Sequence, residues 1–224
     1  MKKIRIIQVV FADEISGFEI PAFRGAIIEK AGKDSILFHN HFEENKFRYR
    51  YPLIQYKVIN RKPCIICIEQ GVDEIHKFFE NKSWSIEISG RILEMKVERL
   101  NLNTFVMQVW NKMFAYGISN WLALNQENYL KYKDIENLSE RISFLESTLK
   151  ANIISMAKGI DWTVDKNIEL KIMNLLDTRP VTLKGKKLLG FNLTFNTNVF
   201  LPNYLGLGKS VSVGYGTVKQ LRND

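Results

Sequence analysis

Two consecutive α+β domains, each with helices laid on an antiparallel sheet, are predicted by three features of this chain. The first hundred residues alternate between strand-like and helix-like patterns in the order β-α-β-β-α-β. A long amphipathic stretch near residue 150 is followed only by further strand-like segments, as if the same plan were repeated with distortions. Of the 224 residues, 46% are apolar and 12% aromatic, enough to fill one large core or two small ones.

The elements follow in order. Residues 3–12 alternate apolar and polar side chains and read as the first strand. Pro21–Ala31 reads as a helix, because proline suits a first turn, Phe23, Ala26 and Ile27 share a face, and Gly32 can end it. Residues 48–59 and 63–69 read as strands joined by a tight turn at Asn60-Arg61-Lys62. Asp73–Phe79 reads as a second helix with Ile75, Phe78 and Phe79 inward, and residues 84–100 return to strand with a break near Gly90. This order is that of the ferredoxin-like unit, which also underlies the RNA-recognition motif. A boundary is placed near residue 102, giving an N-terminal domain over 1–102 and a C-terminal domain over 103–224. In the second, residues 104–116 are strand-like. A helix spans about 138–158, with Leu138, Ile142, Leu145, Leu149, Ile153 and Met156 on one stripe and Asn137 with Glu140 as a capping pair. Residues 168–176, 180–200 and 210–221 read as strands.

The net charge is +8 and unevenly placed. Beyond Pro180 stand Lys184, Lys186, Lys187, Lys209, Lys219 and Arg222 against only Asp224; a second basic stretch holds Lys46, Arg48, Arg50, Lys57, Arg61 and Lys62 against Glu43 and Glu44. An anionic partner fits this balance, although a basic surface needs no partner. No apolar run reaches the length of a membrane span, and the N-terminus reads as a strand rather than a signal peptide, so a cytoplasmic protein without membrane contact is expected. Cys64-Ile-Ile-Cys67 has the spacing of a metal or redox pair. In a strand, however, residues three apart point to opposite faces, so two buried structural thiols are expected. Trp84, Trp110, Trp121 and Trp162 read as packing residues, and His76 as a structural one.

Residues 206–216 read Gly-Leu-Gly-Lys-Ser-Val-Ser-Val-Gly-Tyr-Gly, two Gly-hydrophobic-Gly triplets around five residues that include Lys209. A nucleotide-binding P-loop is excluded, since position 203 is asparagine and the residues after Ser210 alternate as a strand rather than begin a helix. A dinucleotide fingerprint fails because its third glycine would fall at Val211. Two readings stay open: a backbone surface that takes phosphates, and a glycine-rich hairpin with no ligand.

Two of the three histidines sit together in Phe38-His39-Asn40-His41-Phe42, ahead of Phe47-Arg48-Tyr49-Arg50-Tyr51-Pro52. Imidazole, tyrosine and arginine are the parts needed to cut RNA without a metal. A base takes the ribose 2′-OH proton, the oxygen attacks phosphorus, an acid protonates the departing 5′-oxygen, and cations stabilise the extra charge. No acidic cluster at metal-ligand spacing accompanies them, and no cofactor is implied. A polar surface loop and a metal site remain as alternatives.

The glycine loop before a final strand resembles the signature of the RAMP superfamily of CRISPR-associated proteins. His39-Asn-His41 followed by Tyr49-Arg-Tyr-Pro-Leu-Ile-Gln-Tyr-Lys57 is similar to one branch of its repeat-processing endoribonucleases. The resemblance implies tandem ferredoxin-like domains and metal-independent cleavage of precursor CRISPR RNA, leaving a 2′,3′-cyclic phosphate and a 5′-hydroxyl. It assigns His41 as the catalytic histidine, His39 as its neighbour and partner, Tyr49 as an assisting group and Tyr51 as a further candidate. It maps Gly206, Gly208, Lys209, Gly214 and Gly216 onto an RNA-contacting loop. Lys184, Lys186, Lys187, Arg48 and Arg50 add RNA-binding charge. The partners expected are CRISPR repeat RNA, other subunits of a CRISPR effector complex and a second copy of the chain. The rival readings are a non-catalytic RNA-binding subunit of such a complex and a protein-interaction module with no RNA role.

Overall fold

The structure, a computed structural model, describes residues 1–32, 35–39 (His39 by its backbone alone), 51–183 and 185–221. The chain divides into two compact units. One comprises Lys3–Val106 with Ser212–Gly214; the other comprises Met1–Lys2, Met107–Val211 and Tyr215–Asp224.

The N-terminal unit runs β1 (Lys2–Phe11), α1 (Ile20–Ala31), α2 (Ile36–His39), β2 (Ile54–Ile59), β3 (Lys62–Ile68), α3 (Gln70–Glu74), α4 (His76–Phe79), β4 (Ile86–Ile88), β5 (Arg91–Leu93) and β6 (Val97–Met107). Its main sheet has the strand order β2-β3-β1-β6, with β3 antiparallel to both β1 and β2. The β2–β3 turn is tight because Asn60 and Arg61 both take positive φ, of 51° and 66°, which matches the twist of the paired strands. Alternation sends Ile7, Val9 and Phe11 of β1, Ile54 and Tyr56 of β2, and Ile65 and Cys67 of β3 into one core with Phe23, Ile27, Ile75 and Phe78. The rings of Phe11 and Phe23 meet edge-on at 6.4 Å, those of Phe11 and Phe78 at 5.9 Å, and those of Phe23 and Tyr56 at 5.6 Å.

The C-terminal unit carries β7 (Val109–Trp121), α5 (Gln126–Asp134), α6 (Leu138–Gly159), β8 (Leu170–Leu183), β9 (Lys186–Val199) and β10 (Thr217–Gln220). Its sheet has the order β10-β7-β9-β8, all neighbours antiparallel. Helix α6 starts where Asn137 accepts backbone N–H bonds from Ser139 and Glu140. It buries Leu145, Leu149, Ile153 and Met156. Trp121 is fully buried and its Nε1 donates to Asn152 Oδ1 at 2.9 Å, which ties β7 to α6. Both units therefore have the antiparallel, helix-covered sheet of the α+β tandem ferredoxin-like fold. A 3-10 turn (Val211–Val213) stands in the stretch before the last strand.

Several expectations are corrected. The strand expected over 48–59 begins only at Ile54; Tyr51–Leu53 is irregular, and residues 48–50 lie outside the described residues. The second helix is two short pieces broken at Ile75. Strands 168–176 and 180–200 are one hairpin of two 14-residue strands that runs straight through Pro180, opposite Leu189. An edge strand tolerates a proline because the missing N–H faces outward. Leu138 is exposed, as the first residue of α6 outside its buried stripe. Residues 210–216 are not strand: the alternation of Val211, Val213 and Tyr215 belongs to a 3-10 turn followed by a further turn, and β10 starts at Thr217. Helix α5 was not expected, because only Tyr132 on it is buried and it shows no apolar stripe.

Both cysteines are free and buried. Cys67 lies in the core, whereas Cys64 pairs across the sheet with Lys57 on the other face. His76 is half-exposed and holds its own helix, with Nδ1 against the Asp73 carbonyl and Nε2 3.6 Å from Glu80. Among the described residues, no helix is long and apolar enough to cross a membrane.

Candidate nucleic-acid interface

The two ends of the glycine loop are built against the C-terminal unit. Leu207 N–H donates to Gly216 O at 2.9 Å, Gly216 N–H to Asn120 O at 3.1 Å, and Lys209 N–H to Leu122 O at 3.1 Å. Gly206 forms an isolated antiparallel bridge with Thr217. Two glycines are required by this packing. Gly216 has φ of 62°, and a Cβ there would lie 1.8 Å from Leu207 O. Gly208 has φ of 91°, and a Cβ there would lie 2.7 Å from Trp121 Nε1. Gly206 and Gly216 are buried, Gly208 and Gly214 half-buried, and Lys209 is exposed at the turn. The glycines hold the loop close to β7, and Lys209 is the cation that the loop presents.

Lys209 opens onto a cavity of about 560 Å³ in the C-terminal unit, to which Lys186 and Lys187 at the start of β9 also contribute. The start of β9 and the glycine loop thus bring together charges more than twenty residues apart in sequence. Among the described residues, none of the three lysines is in an ion pair. The start of α5 also lines it, with Asn125, Gln126 and Tyr129. Sequence reasoning missed these three. The only local cue was Asn125 ahead of a polar stretch, where it caps α5 by accepting from Asn128 N–H at 2.6 Å. Lys184 falls outside the described residues.

Of the expected catalytic residues, His41 and Tyr49 lie outside the described residues, as do Arg48 and Arg50. His39 is the last residue of α2. Tyr51 leads into β2, and its hydroxyl shares a hydrogen bond with Gln55. Burial holds that hydroxyl well above the ordinary tyrosine range, so it keeps its proton at neutral pH and has an O–H to donate. Gln55 Nε2 donates to Pro52 O at 3.1 Å. Gln55 and Lys57 share the face of β2 turned away from the core, and both are fully buried. Burial lowers the Lys57 ammonium to about 7, with Cys64 opposing the shift. The Cys64 thiol is pushed up to about 12 by burial, with the Gln8 amide and the Lys57 and Arg99 charges opposing the shift. Lys57, which sequence reasoning counted among the basic residues, is thus part of a buried polar cluster on β2 and β3. Among the described residues, no group of three or more His, Cys, Asp or Glu side chains is arranged to hold a metal ion.

Family models match the two units in order: that of the Cas6b N-terminal domain covers residues 2–106, and that of the Cas6b C-terminal domain covers residues 108–221. A crystal structure of Cas6b superposes with a TM-score of 0.85 at 30% identity, covering 98% of this chain and 100% of that one. A CRISPR RNA processing endoribonuclease, also a Cas6b, superposes with a TM-score of 0.75 at 27% identity, over 98% of this chain and 100% of that one. An uncharacterized protein of Methanocaldococcus jannaschii is 42% identical over 144 residues, which cover 58% of this chain and 96% of that protein.

Proposed function

This chain belongs to the Cas6b family of CRISPR RNA processing endoribonucleases, and on that premise we propose that it cuts CRISPR repeat RNA by a metal-independent transesterification. The observation that carries the proposal is the match of both domain models, in order, over nearly the whole chain.

The reaction balances without a water or a metal. A base takes the 2′-OH proton of the nucleotide before the cut. The 2′-oxygen forms a bond to phosphorus as the bond to the 5′-oxygen breaks. An acid gives that oxygen a proton, leaving a 2′,3′-cyclic phosphate and a 5′-hydroxyl. His41 and His39 are assigned the proton transfers, since imidazole can lose or gain a proton near neutral pH. Tyr49 assists. The protonated Tyr51 hydroxyl, fixed by Gln55, serves as a hydrogen-bond donor and not as the base. Lys186, Lys187 and Lys209 hold RNA phosphates, with the glycine loop fixing where Lys209 stands.

Incubating the protein with end-labelled repeat RNA in excess EDTA tests this. Cleavage at one position is expected, with a loss of at least about a hundredfold in rate for His41→Ala combined with His39→Ala. Undiminished cleavage by the double variant would refute the assigned site. Tight, salt-sensitive binding of the repeat without any product would favour a non-catalytic RNA-binding subunit instead.

A further inference from the structure

We propose that the cavity of the C-terminal unit receives a single unstacked nucleotide of the RNA, its base against Tyr129 and its flanking phosphates on Lys186, Lys187 and Lys209. This rests on the RNA-binding reading above and adds to it a recognition subsite for an unpaired base.

The shape comes first. The cavity, of about 560 Å³, is within the size range of pockets that enclose small organic ligands. Its chemistry is mixed in the way a nucleotide is mixed. Leu124, Pro180, Leu188 and Leu189 give it apolar lining, and Leu124 is buried. Tyr129 is 44% exposed at the wall, and among the described residues its ring has no aromatic partner. An unpartnered ring beside an apolar lining offers a face on which a base can stack, worth about 1–3 kcal/mol per base.

Polar groups then fit the edge of that base. Asn125 uses its side-chain oxygen to cap α5, which leaves its amide N–H groups as donors. Gln126 stands beside it with an amide that can both donate and accept. Lys186 and Lys187 of β9 and Lys209 of the glycine loop all line this cavity, so its charge comes from two different elements. The nearest carboxylate of α5, Glu127, is engaged by Lys131 at 2.7 Å and does not neutralise them.

This combination selects against duplex RNA. In an A-form helix the base faces are stacked and the major-groove edges lie deep, so neither can enter a concave pocket with an aromatic wall. A nucleotide in a single-stranded segment can swing its base out and keep its phosphates on the lysines.

The test uses the full chain with repeat RNA and a Tyr129→Ala variant, which alters an exposed side chain. The expected loss of affinity for single-stranded repeat RNA is about tenfold, restored by Tyr129→Phe. For the same RNA annealed to its complement, parent and variant bind equally. Replacing the nucleotides one at a time with abasic ribose should reveal one position at which the parent loses affinity and Tyr129→Ala loses no more. Repeat RNA carrying 4-thiouridine at that position should cross-link within Asn125–Tyr129. If the parent binds and cuts repeat RNA while Tyr129→Ala binds as the parent does and the cross-links map elsewhere, the subsite is overturned and the nuclease reading stands. If the parent binds no RNA, both fall.

Discussion

Lys57 places a lysine side chain inside a β-sheet, 1% exposed, where an ammonium is costly to desolvate. Its folded pKa of about 7 lies well below that of the unfolded chain, about 10.4. Between those values the unfolded state binds more protons than the folded state, so stability rises with pH across this window. Cys64 works in the opposite direction above pH 9, where the unfolded thiol ionises first and the folded thiol, at about 12, does not. The contribution of Lys57 is therefore seen between pH 7 and about 9. Lys57→Met should raise the melting temperature most at pH 6 and flatten the rise from pH 7 to 9, as followed by thermal melts across that range. An unchanged pH profile would mean that the ammonium is not desolvated in the folded protein. Neither the burial of Lys57 nor its pairing with Cys64 was legible in the sequence. There it stands in a run of basic residues, and only the pairing of β2 with β3 sets it beside Cys64 on the face turned away from the core.

At the scale of elements, local signals worked where local chemistry decides. Pro21 falls in the first turn of α1, and Asn137 caps α6 as its spacing to Glu140 suggested. Asn137→Ala removes an acceptor for two backbone N–H groups at an exposed helix end and should cost about 1 kcal/mol of stability, read by denaturant unfolding. Local signals failed where tertiary packing decides. Val211, Val213 and Tyr215 alternate like a strand, yet the positive φ of Gly208, Ser210, Gly214 and Gly216 turns the chain too often for one to form. Pro180 looked like a break but lies on an outer strand whose other edge is paired with β9 along its length. Helix α5 has too few apolar residues to show a period, and is held by Tyr132, whose ring meets Phe191 at 5.7 Å.

At the scale of the whole molecule, the order of elements and the glycine loop made the fold and the family legible. The histidine segment, a short contiguous motif, is the sequence feature from which the proposed chemistry is drawn. The lysine-lined cavity was not legible as a unit. It joins Asn125–Tyr129, Lys186–Leu189 and Lys209, which only the β8–β9 hairpin and the loop against β7 bring together. Its charge has a measurable consequence. If Lys209 neutralises one RNA phosphate, Lys209→Ala should lower the slope of log affinity against log salt by about 0.7 for single-stranded repeat RNA. An unchanged slope would remove Lys209 from the phosphate contacts. The claim on which the rest depends is that the ribose of the RNA supplies its own nucleophile. It is tested most directly by repeat RNA in which the nucleotide before the cut carries 2′-deoxyribose, incubated in EDTA beside the all-ribose strand. The expected result is a cyclic-phosphate product from the all-ribose strand and no cut at that position in the substituted one. Cleavage of the deoxy strand at the same position, or cleavage that requires added divalent metal, would contradict it.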